Sequence, residues 1–306
     1  MALLLQTSCK TTVDTLPNEE RKIQKKINPF IKKDAVALVL GGGGARGIAH
    51  LAALEVLEEA NIPIDFIVGC SSGSIVGSLY AADVDVKKIK SLLFKAKSEE
   101  MIERSKIPKQ FGLLRHTKLR EFLKKNLTAQ TFDQLKIPLI VVATDLITGE
   151  LVEFEDGPLV PPIIASSSIP LLFEPIKYDN RILVDGGVIA ALPIKTAKKK
   201  NPALIIAIDI ANCLSEEKPK NMFTIAQRSI KIMHRELSKE QSDLADVVIR
   251  TKMDMDSLEE NSKIRRKFYL SLKKEIRKKI PEIKSLYYKK VQRKKPFIFI
   301  KNRVQA

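Results

Sequence analysis

The chain has 306 residues, of which 44% are apolar and 29% are charged, and its formal net charge is +17. This composition excludes an intrinsically disordered chain, and the length is enough for a full apolar core in one or two domains. No run approaches the roughly 18 apolar residues of a membrane-spanning helix, so we expect a protein that is soluble or bound to a membrane surface. The excess of cations favours polyanionic partners, either anionic lipid or nucleic acid.

The N-terminal segment, residues 1–34, is polar and rich in lysine. Its apolar run at residues 3–5 is too short for a secretory signal, and Cys9 only faintly suggests a lipidation site. We therefore expect a cytoplasmic protein or one peripheral to a membrane, and export without a cleavable signal stays open. The three cysteines, Cys9, Cys70 and Cys213, are too few for a disulfide framework, and no Cys/His cluster has zinc-ligand spacing. We expect free thiols and no metal.

From residue 35 onwards, apolar runs typical of buried strands alternate with segments of helical periodicity. The predicted strands are residues 35–40, 64–68, 138–144, 182–184, 203–208 and 246–250. The predicted helices are residues 48–60, 75–82, 87–127 with interruptions at Pro108 and Gly112, a segment beginning near Pro193, and residues 224–241. This alternation predicts an α/β layered fold with a mainly parallel sheet.

The turn after the first strand, residues 42–47, has the sequence Gly-Gly-Gly-Ala-Arg-Gly and fits the G-x-G-x-x-G pattern of dinucleotide-binding turns. That interpretation requires an acidic residue at the end of the second strand, but this strand ends in Val68-Gly69. The same backbone N–H groups, gathered at a helix N-terminus, also suit an oxyanion formed during acyl transfer. Arg46 either adds positive charge to this corner or is a solvated or sheet-capping side chain.

The turn after the second strand, Gly69-Cys70-Ser71-Ser72-Gly73, fits G-x-S-x-G. In this motif small neighbours permit a sharp strand-to-helix turn that exposes the serine oxygen. Its position between an apolar strand and a helix favours a nucleophile at Ser71 over a structural serine. Ser72 and Ser74 are alternatives as helix-capping hydroxyls.

A serine nucleophile needs a base, which is usually a histidine held by a carboxylate. The three histidines, His50, His116 and His234, all lie in predicted helices, where packing or surface roles are commoner. Asp185 ends an apolar strand and is followed by two glycines, but an aspartate of ordinary pKa is a weak base. Desolvation would have to raise its pKa for useful catalysis at neutral pH. Taken alone, the pattern favours an aspartate that bonds its own turn.

Three segments together resemble the signatures of the patatin-like phospholipase family, in the same order. They are residues 42–47, residues 69–73 and Asp185-Gly186-Gly187. Two further segments resemble that family, residues 165–170 with 173–175 and residues 144–145 with 148–149. The resemblance is strong over residues 35–193 and looser as far as Arg250. It implies a three-layer α/β/α sandwich with a mainly parallel central sheet.

The resemblance also implies a Ser-Asp dyad without histidine, in which Ser71 attacks an ester and Asp185 takes and returns the proton. The implied site further comprises an oxyanion loop (Gly42, Gly43, Gly44, Arg46, Gly47), the glycines of the serine turn (Gly69, Gly73) and those after the aspartate (Gly186, Gly187). The implied substrates are acyl esters of phospholipids or neutral lipids, cleaved through an acyl-enzyme without metal or cofactor. Cys70, Ser72 and Ala190-Ala191 depart from the commoner residues of the family and leave the dyad intact.

Other functions stay open on the sequence. Ser71, Asp185 and His234 follow the chain order of an α/β-hydrolase triad, and a lipid- or nucleotide-binding module could carry the same motifs without activity. We place the catalytic domain at residues 35–250, with its core motifs in residues 35–198.

The C-terminal extension, residues 251–306, holds 18 Lys and Arg against 6 Asp and Glu, so about +12 of the net charge lies there. An apolar residue recurs at every fourth position of this helical segment, at Ile264, Phe268, Leu272, Ile276 and Ile280. The stripe could lie in the headgroup layer of an anionic membrane, or it could pack on the sheet with the charges solvated. Nucleic-acid binding is disfavoured because no recognition motif or aromatic platform accompanies the charge.

Overall fold

A computed structural model describes most of the chain. The described residues are 14–15, 32, 34–96, 103–109, 112–211, 214, 218–250 and 262–292. The strands are β1 (Asp14–Thr15), β2 (Val36–Leu40), β3 (Phe66–Cys70), β4 (Glu103–Lys109), β5 (Gly112–Arg115), β6 (Leu139–Asp145), β7 (Leu151–Phe154), β8 (Ile176–Tyr178), β9 (Arg181–Asp185), β10 (Leu204–Asp209) and β11 (Val247–Arg250). The helices are α1 (Ile48–Glu59), α2 (Ser72–Asp83), α3 (Val86–Lys95), α4 (Thr117–Asn126), α5 (Val160–Ser166), α6 (Gly187–Ala190), α7 (Ile194–Lys199), α8 (Met222–Ser242), α9 (Ser262–Arg277) and α10 (Ile280–Lys290).

Within the described residues, nine strands are hydrogen-bonded into one sheet. The pairings follow the path β1-β8-β9-β6-β3-β2-β10-β11, and β7 also pairs with β6. The pairs β6-β3, β3-β2, β2-β10 and β10-β11 are parallel. The pairs β6-β7, β6-β9 and β8-β9 are antiparallel. The prediction of a mainly parallel α/β sheet is therefore confirmed.

The central strands are apolar throughout because both faces of the sheet are covered by helices. Side chains of β2 alternate between two cores, with Val36, Leu38 and Leu40 on one face and Ala37 and Val39 on the other. Helices α1, α2, α3 and α9 contribute to the first core, and α7 contributes to the second. This is the expected three-layer α/β/α sandwich.

The segment between α3 and α4 differs from the prediction. We expected interrupted helix over residues 87–127, but β4 and β5 pair there as an antiparallel hairpin. Pro108 lies within β4 and Gly112 begins β5, where it pairs with Lys109. Proline and glycine punctuate helices and hairpins alike, so the sequence pattern did not distinguish the two.

The C-terminal helices pack on the body of the protein. Phe268, Leu272 and Ile276 of α9 are buried against the first core, and α9 lies along α1. Lys273 forms ion pairs with Glu55 at 2.8 Å and Glu59 at 2.6 Å, both on α1. Three residues of the apolar stripe are therefore used for packing, but the helix lies along α1 and not on the sheet, and the Lys273 charge is buried in ion pairs.

Several predictions from the sequence concern residues outside the described part of the chain. Cys9 with its faint lipidation signal, Cys213 and the side chain of Ile264 belong to this group. The boundaries of the N-terminal segment and the C-terminal extension stay predictions. In the described ranges, no helix is both long enough and apolar enough to span a bilayer.

Candidate active site

Two strands bring the predicted nucleophile and carboxylate together on one edge of β6. Strand β7 pairs with residues 141–144 of β6 and so occupies one edge of that strand. Strand β3 pairs with residues 141–142 and β9 with residues 143–144. Because a strand has only two edges, β3 and β9 both lie on the edge opposite to β7. There Cys70 lies opposite Val142, and Asp185 lies opposite the next residue, Ala143. Because β3 runs parallel to β6 and β9 runs antiparallel, the two strands end facing each other. Ser71 and Asp185 are therefore adjacent although they are distant in sequence.

Ser71 occupies the sharp turn between β3 and α2 that the motif predicts. Its backbone has φ 52° and ψ −123°, an unusual conformation for a residue other than glycine. The surrounding structure holds this turn from both sides. The Ser71 N–H donates to Ser166 Oγ at 2.8 Å, and the Ser71 carbonyl accepts from the Ser74 N–H at 2.9 Å and the Ser74 hydroxyl at 2.7 Å.

The glycines that flank Ser71 permit close backbone contact. A Cβ atom on Gly73 would lie 2.1 Å from the carbonyl oxygen of Leu40 in β2. A Cβ atom on Gly69 would lie 2.7 Å from Cα of Ser74. Both positions therefore exclude any side chain, which explains the two outer glycines of the motif.

The Asp185 carboxylate is buried, with 1% of the residue exposed. Its Oδ1 accepts the Gly187 N–H at 2.7 Å and lies 3.7 Å from the Cys70 thiol. Burial raises the pKa of Asp185 from its ordinary value to about 6, against the opposing effect of these hydrogen bonds. An aspartate base at neutral pH requires a pKa raised by desolvation, and Asp185 meets this requirement.

The backbone around Asp185 is held by its neighbours. The Asp185 N–H donates to the Ser168 carbonyl at 2.9 Å, and the Thr144 hydroxyl donates to the Asp185 carbonyl at 3.0 Å. A Cβ atom on Gly186 would lie 2.4 Å from the Val142 carbonyl oxygen, so the chain passes directly over β6. Asp185 is not an exposed turn aspartate, because its surroundings orient both its backbone and its carboxylate.

The glycine loop lies beside Ser71. A Cβ atom on Gly42 would be 3.3 Å from Ser71 Cβ, and one on Gly47 would be 3.1 Å from Ser72 Cβ. The Gly42 N–H is already bonded to the Ala191 carbonyl at 2.7 Å. Gly44 begins a short 3₁₀ turn, Gly44–Gly47, with a positive φ of 59°. The loop therefore approaches the serine turn through Gly42 and Gly47.

Arg46 is buried, so its interpretation as a solvated side chain is wrong. Its Nε donates to the Gly43 carbonyl at 3.1 Å, and its backbone N–H donates to the same oxygen at 3.3 Å. His50 supports the same loop, since its Nε2 is 2.7 Å from the Gly41 carbonyl oxygen. Burial lowers the pKa of His50 to about 4, so the ring is neutral and donates this bond.

The other two histidines also pack within the body. His116 Nε2 lies 3.1 Å from the Glu174 carbonyl oxygen and 3.1 Å from Ser168 Oγ, and its ring stacks on Phe173. The His234 ring lies against Gly187, where an added Cβ would be 2.9 Å from its Cε1. Burial, with a smaller effect of Arg46, lowers the pKa of His234 to about 4.

In the part of the chain that the structure describes, the hydrogen-bond partners of the Asp185 side chain are the Gly187 N–H and the Cys70 thiol. No histidine stands between the serine and the carboxylate. Among these described residues, no group of three or more His, Cys, Asp or Glu side chains is arranged to hold a metal ion.

The sequence reasoning missed three supporting residues. Ser166 accepts the Ser71 N–H, Ser168 accepts the Asp185 N–H through its carbonyl, and Cys70 faces the carboxylate. The only signal for the two serines was that their segment resembles one of the family. No signal in the sequence indicated that the Cys70 thiol faces Asp185.

Comparisons with known proteins give the relatives of this chain. The chain is 37% identical over 179 residues to an uncharacterized NTE family protein of Mycobacterium tuberculosis, covering 57% of this chain and 49% of that protein. It is 32% identical over 202 residues to lysophospholipase NTE1 of Scheffersomyces stipitis, covering 63% of this chain and 13% of that protein. It is 30% identical over 185 residues to human patatin-like phospholipase domain-containing protein 6, covering 58% and 14%. The chain thus spans about half the length of the first relative and a smaller part of the others.

Among solved structures, VipD of Legionella pneumophila shares the fold, with a TM-score of 0.52 and 15% identity over 81% of this chain and 67% of that one. The sequence profile of the patatin-like phospholipase family matches residues 38–198, which is more than half of the chain and includes the glycine loop, Ser71 and Asp185. This chain belongs to the patatin-like phospholipase family.

Proposed function

We propose that this protein hydrolyses acyl esters of phospholipids, as a phospholipase A or lysophospholipase, with Ser71 and Asp185 as a catalytic dyad. The observation that carries the proposal is that β3 and β9 end face to face on β6, which places the Ser71 turn beside the buried Asp185 carboxylate. Burial raises the pKa of this carboxylate to about 6. Family membership supports a lipid acyl hydrolase. The name of the Scheffersomyces relative, a lysophospholipase, supports a phospholipid-derived substrate.

In the proposed reaction, Asp185 takes the proton of the Ser71 hydroxyl while Oγ bonds to the acyl carbon of the ester. The tetrahedral intermediate collapses, the bond to the alcohol oxygen breaks, and Asp185 returns the proton to the leaving alcohol. A water molecule then gives a proton to Asp185 and attacks the acyl-enzyme. The fatty acid leaves, and Ser71 recovers its proton from Asp185.

The oxyanion in this mechanism is held by the N–H groups of Gly43 and Gly44, because the Gly42 N–H is bonded to Ala191. Arg46 acts on this loop as a positioning residue. Its Nε binds the Gly43 carbonyl oxygen. In a trans peptide the N–H of the following residue, Gly44, points away from that oxygen. The Gly44 N–H is thereby directed away from the guanidinium.

The proposal is tested with the full chain, by fluorophosphonate labelling and by fatty-acid release from lysophosphatidylcholine and from phospholipid vesicles. We expect the wild type to be labelled and active, Ser71→Ala to lose both properties, and Asp185→Asn to lose activity. Ser72→Ala removes the neighbouring hydroxyl and serves as the control, because Ser71 should still be labelled in this variant. Absence of both labelling and release in the wild type would favour a binding module instead.

The same assay on His234→Ala distinguishes the dyad from the α/β-hydrolase triad. A dyad enzyme keeps measurable turnover in this variant, because the histidine packs on Gly187 and takes no proton. A loss equal to that of Asp185→Asn would support the triad.

A further inference from the structure

The first four turns of α8 are only partly buried. The buried residues of this 21-residue helix, Ser238, Gln241 and Ser242, all lie in its last five positions. This end is anchored on α7, where the Lys195 N–H donates to Gln241 Oε1 at 3.0 Å. The N-terminal half is closed by a capping box between Asn221 and Thr224, so it is a complete helix that is only partly covered.

The outward face of this half is apolar. Met222 is 86% exposed, Ile225 55%, Met233 54% and Ile232 39%. Their spacing places them along one side of the helix. We call these four residues the α8 stripe. Contiguous exposed apolar surface of this kind marks a contact with a partner or a membrane.

The charges around the α8 stripe are mostly positive, and the nearest acidic residue, Glu236, is paired with Arg235 and Lys239. Residues 218–235 contain five cations and no Asp or Glu; the cations are Lys218, Lys220, Arg228, Lys231 and Arg235. An apolar stripe with cationic flanks matches an anionic lipid surface, where side chains enter the acyl boundary and cations meet phosphate groups. A second copy of this chain would instead bring five like charges against five others, which disfavours self-association through this face.

The helix that carries the α8 stripe packs against α6, which follows the carboxylate motif. His234 follows Met233 and packs against Gly187, two residues after Asp185. Val188, the next residue along α6, is 39% exposed. Because His234 lies about 100° beyond Met233 around the helix, a surface bound to the stripe would lie about one helix diameter from the carboxylate motif.

We propose that the N-terminal half of α8 is an interfacial helix that lies on an anionic lipid surface and brings the Ser71 site against that surface. Its lipid binding does not depend on hydrolysis, whereas the delivery of substrate rests on the proposed function. This surface differs from the one expected at the C-terminal extension, because the Phe268, Leu272 and Ile276 stripe is buried on α1.

The test measures sedimentation of the full chain with vesicles of phosphatidylcholine alone or mixed with phosphatidylserine, in the Ser71→Ala background so that the lipid is not consumed. We expect binding to the mixed vesicles that weakens with salt. The double variant Ile225→Ser/Met233→Ser should weaken it by about tenfold or more, because two apolar side chains no longer enter the lipid. Leu270→Ser is the matched control, since Leu270 is 56% exposed on α9, and it should bind like the parent.

Three outcomes overturn the inference. The first is no binding to mixed vesicles, and the second is equal binding by the double variant and the Leu270→Ser control. The third is a parent dimer in solution that the double variant converts to a monomer with unchanged vesicle binding, since the stripe would then be covered by a second copy. Far-UV circular dichroism and thermal unfolding of each variant establish that the fold is retained.

The same variants with Ser71 restored separate this inference from the proposed function. We expect the ratio of vesicle hydrolysis to hydrolysis of a water-soluble short-chain ester to fall by about tenfold in the double variant. Stripe-dependent vesicle binding without any ester hydrolysis would keep the inference and reject the proposed function. Hydrolysis with an unchanged ratio would keep the function and reject the inference.

Discussion

The Cys70 thiol lies 3.7 Å from Oδ1 of Asp185 and donates a weak hydrogen bond to it. Cys70 is the last residue of β3 and Asp185 the last of β9, and the two strands end face to face on β6. The residue before the nucleophile therefore contacts the carboxylate that is proposed to activate it. Hydrogen bonds to an ionised carboxylate favour that form and lower its pKa.

Replacement of Cys70 should move the acid limb of the activity profile. In Cys70→Ala the thiol donor is lost, so the pKa of Asp185 rises and the limb moves to higher pH. In Cys70→Thr a stronger hydroxyl donor replaces the thiol, and the limb moves to lower pH. The pH dependence of kcat/KM for a water-soluble ester measures both shifts, and identical limbs in all three proteins would contradict this role.

The ionised Asp185 carboxylate should destabilise the folded protein at the pH where it acts as the base. Its pKa in the folded protein, about 6, exceeds its ordinary value of 3.8, so the native state binds this proton more tightly than the unfolded chain does. The stabilisation from protonation is present below pH 3.8 and is lost as the pH rises to about 6. Activity should fall below about pH 6, where the base becomes protonated.

Asp185→Asn tests this linkage because asparagine does not ionise. We expect the variant to be inactive but more stable than the wild type at pH 8, by on the order of 3 kcal/mol. The gain should disappear near pH 4. Denaturant unfolding at the two pH values measures the difference, and a variant less stable than the wild type at pH 8 would be inconsistent with a desolvated carboxylate.

The buried His50 should make the folded protein less stable as the pH falls, which is the opposite of the effect of Asp185. Its pKa falls from 6.5 to about 4 on folding, so the unfolded chain binds the proton more tightly between these values and stability is lost as the pH falls. His50→Gln keeps an N–H donor for the Gly41 carbonyl and does not titrate. The free energy of unfolding of this variant should change less between pH 7 and pH 4.5 than that of the wild type. Equal changes would argue against a buried neutral His50.

Gly73→Ala should prevent formation of the serine turn. The new Cβ would meet the Leu40 carbonyl at 2.1 Å, so the backbone of β2 or α2 must move. We expect a loss of more than about 3 kcal/mol or failure to fold. Gly77→Ala is the control within the same helix, because its nearest contact is the flexible side chain of Ile67 at 3.2 Å. Thermal unfolding compares the two, and equal effects would mean that the contact with β2 is not the constraint.

Lys273 should make the stability of the core depend on the C-terminal helix. Its side chain is 8% exposed and pairs with both Glu55 and Glu59, so Lys273→Met leaves two carboxylates without this partner. We expect a loss of about 1 to 3 kcal/mol. Arg277→Met removes an exposed partner of Glu59 and should cost less than about 1 kcal/mol. Similar unfolding free energies for the two variants would show that the Lys273 pairs are no stronger than surface pairs.

Local patterns were sufficient for much of the fold. The alternation of apolar runs with helical periodicity predicted β2, β6, β10 and α1 to within a few residues. It failed at β4 and β5, where a pairing between segments decides the structure. It also left the tail undecided, because the stripe of Phe268, Leu272 and Ile276 has the same spacing whether a helix packs on α1 or on a lipid surface.

The sequence by itself determined the chemical groups of this protein: a serine between Gly69 and Gly73 in a strand-to-helix turn, a glycine loop, and an aspartate after an apolar strand. These are patterns of short segments, whereas the contact that excludes a side chain at Gly73 is with Leu40 of β2. Only the tertiary structure decided which base Ser71 meets, because strand order on β6 joins Cys70 to Asp185 across 115 residues of chain. It also decided the strength of that base, since the pKa of a carboxylate depends on its desolvation and its neighbours, and burial is a property of the packed protein.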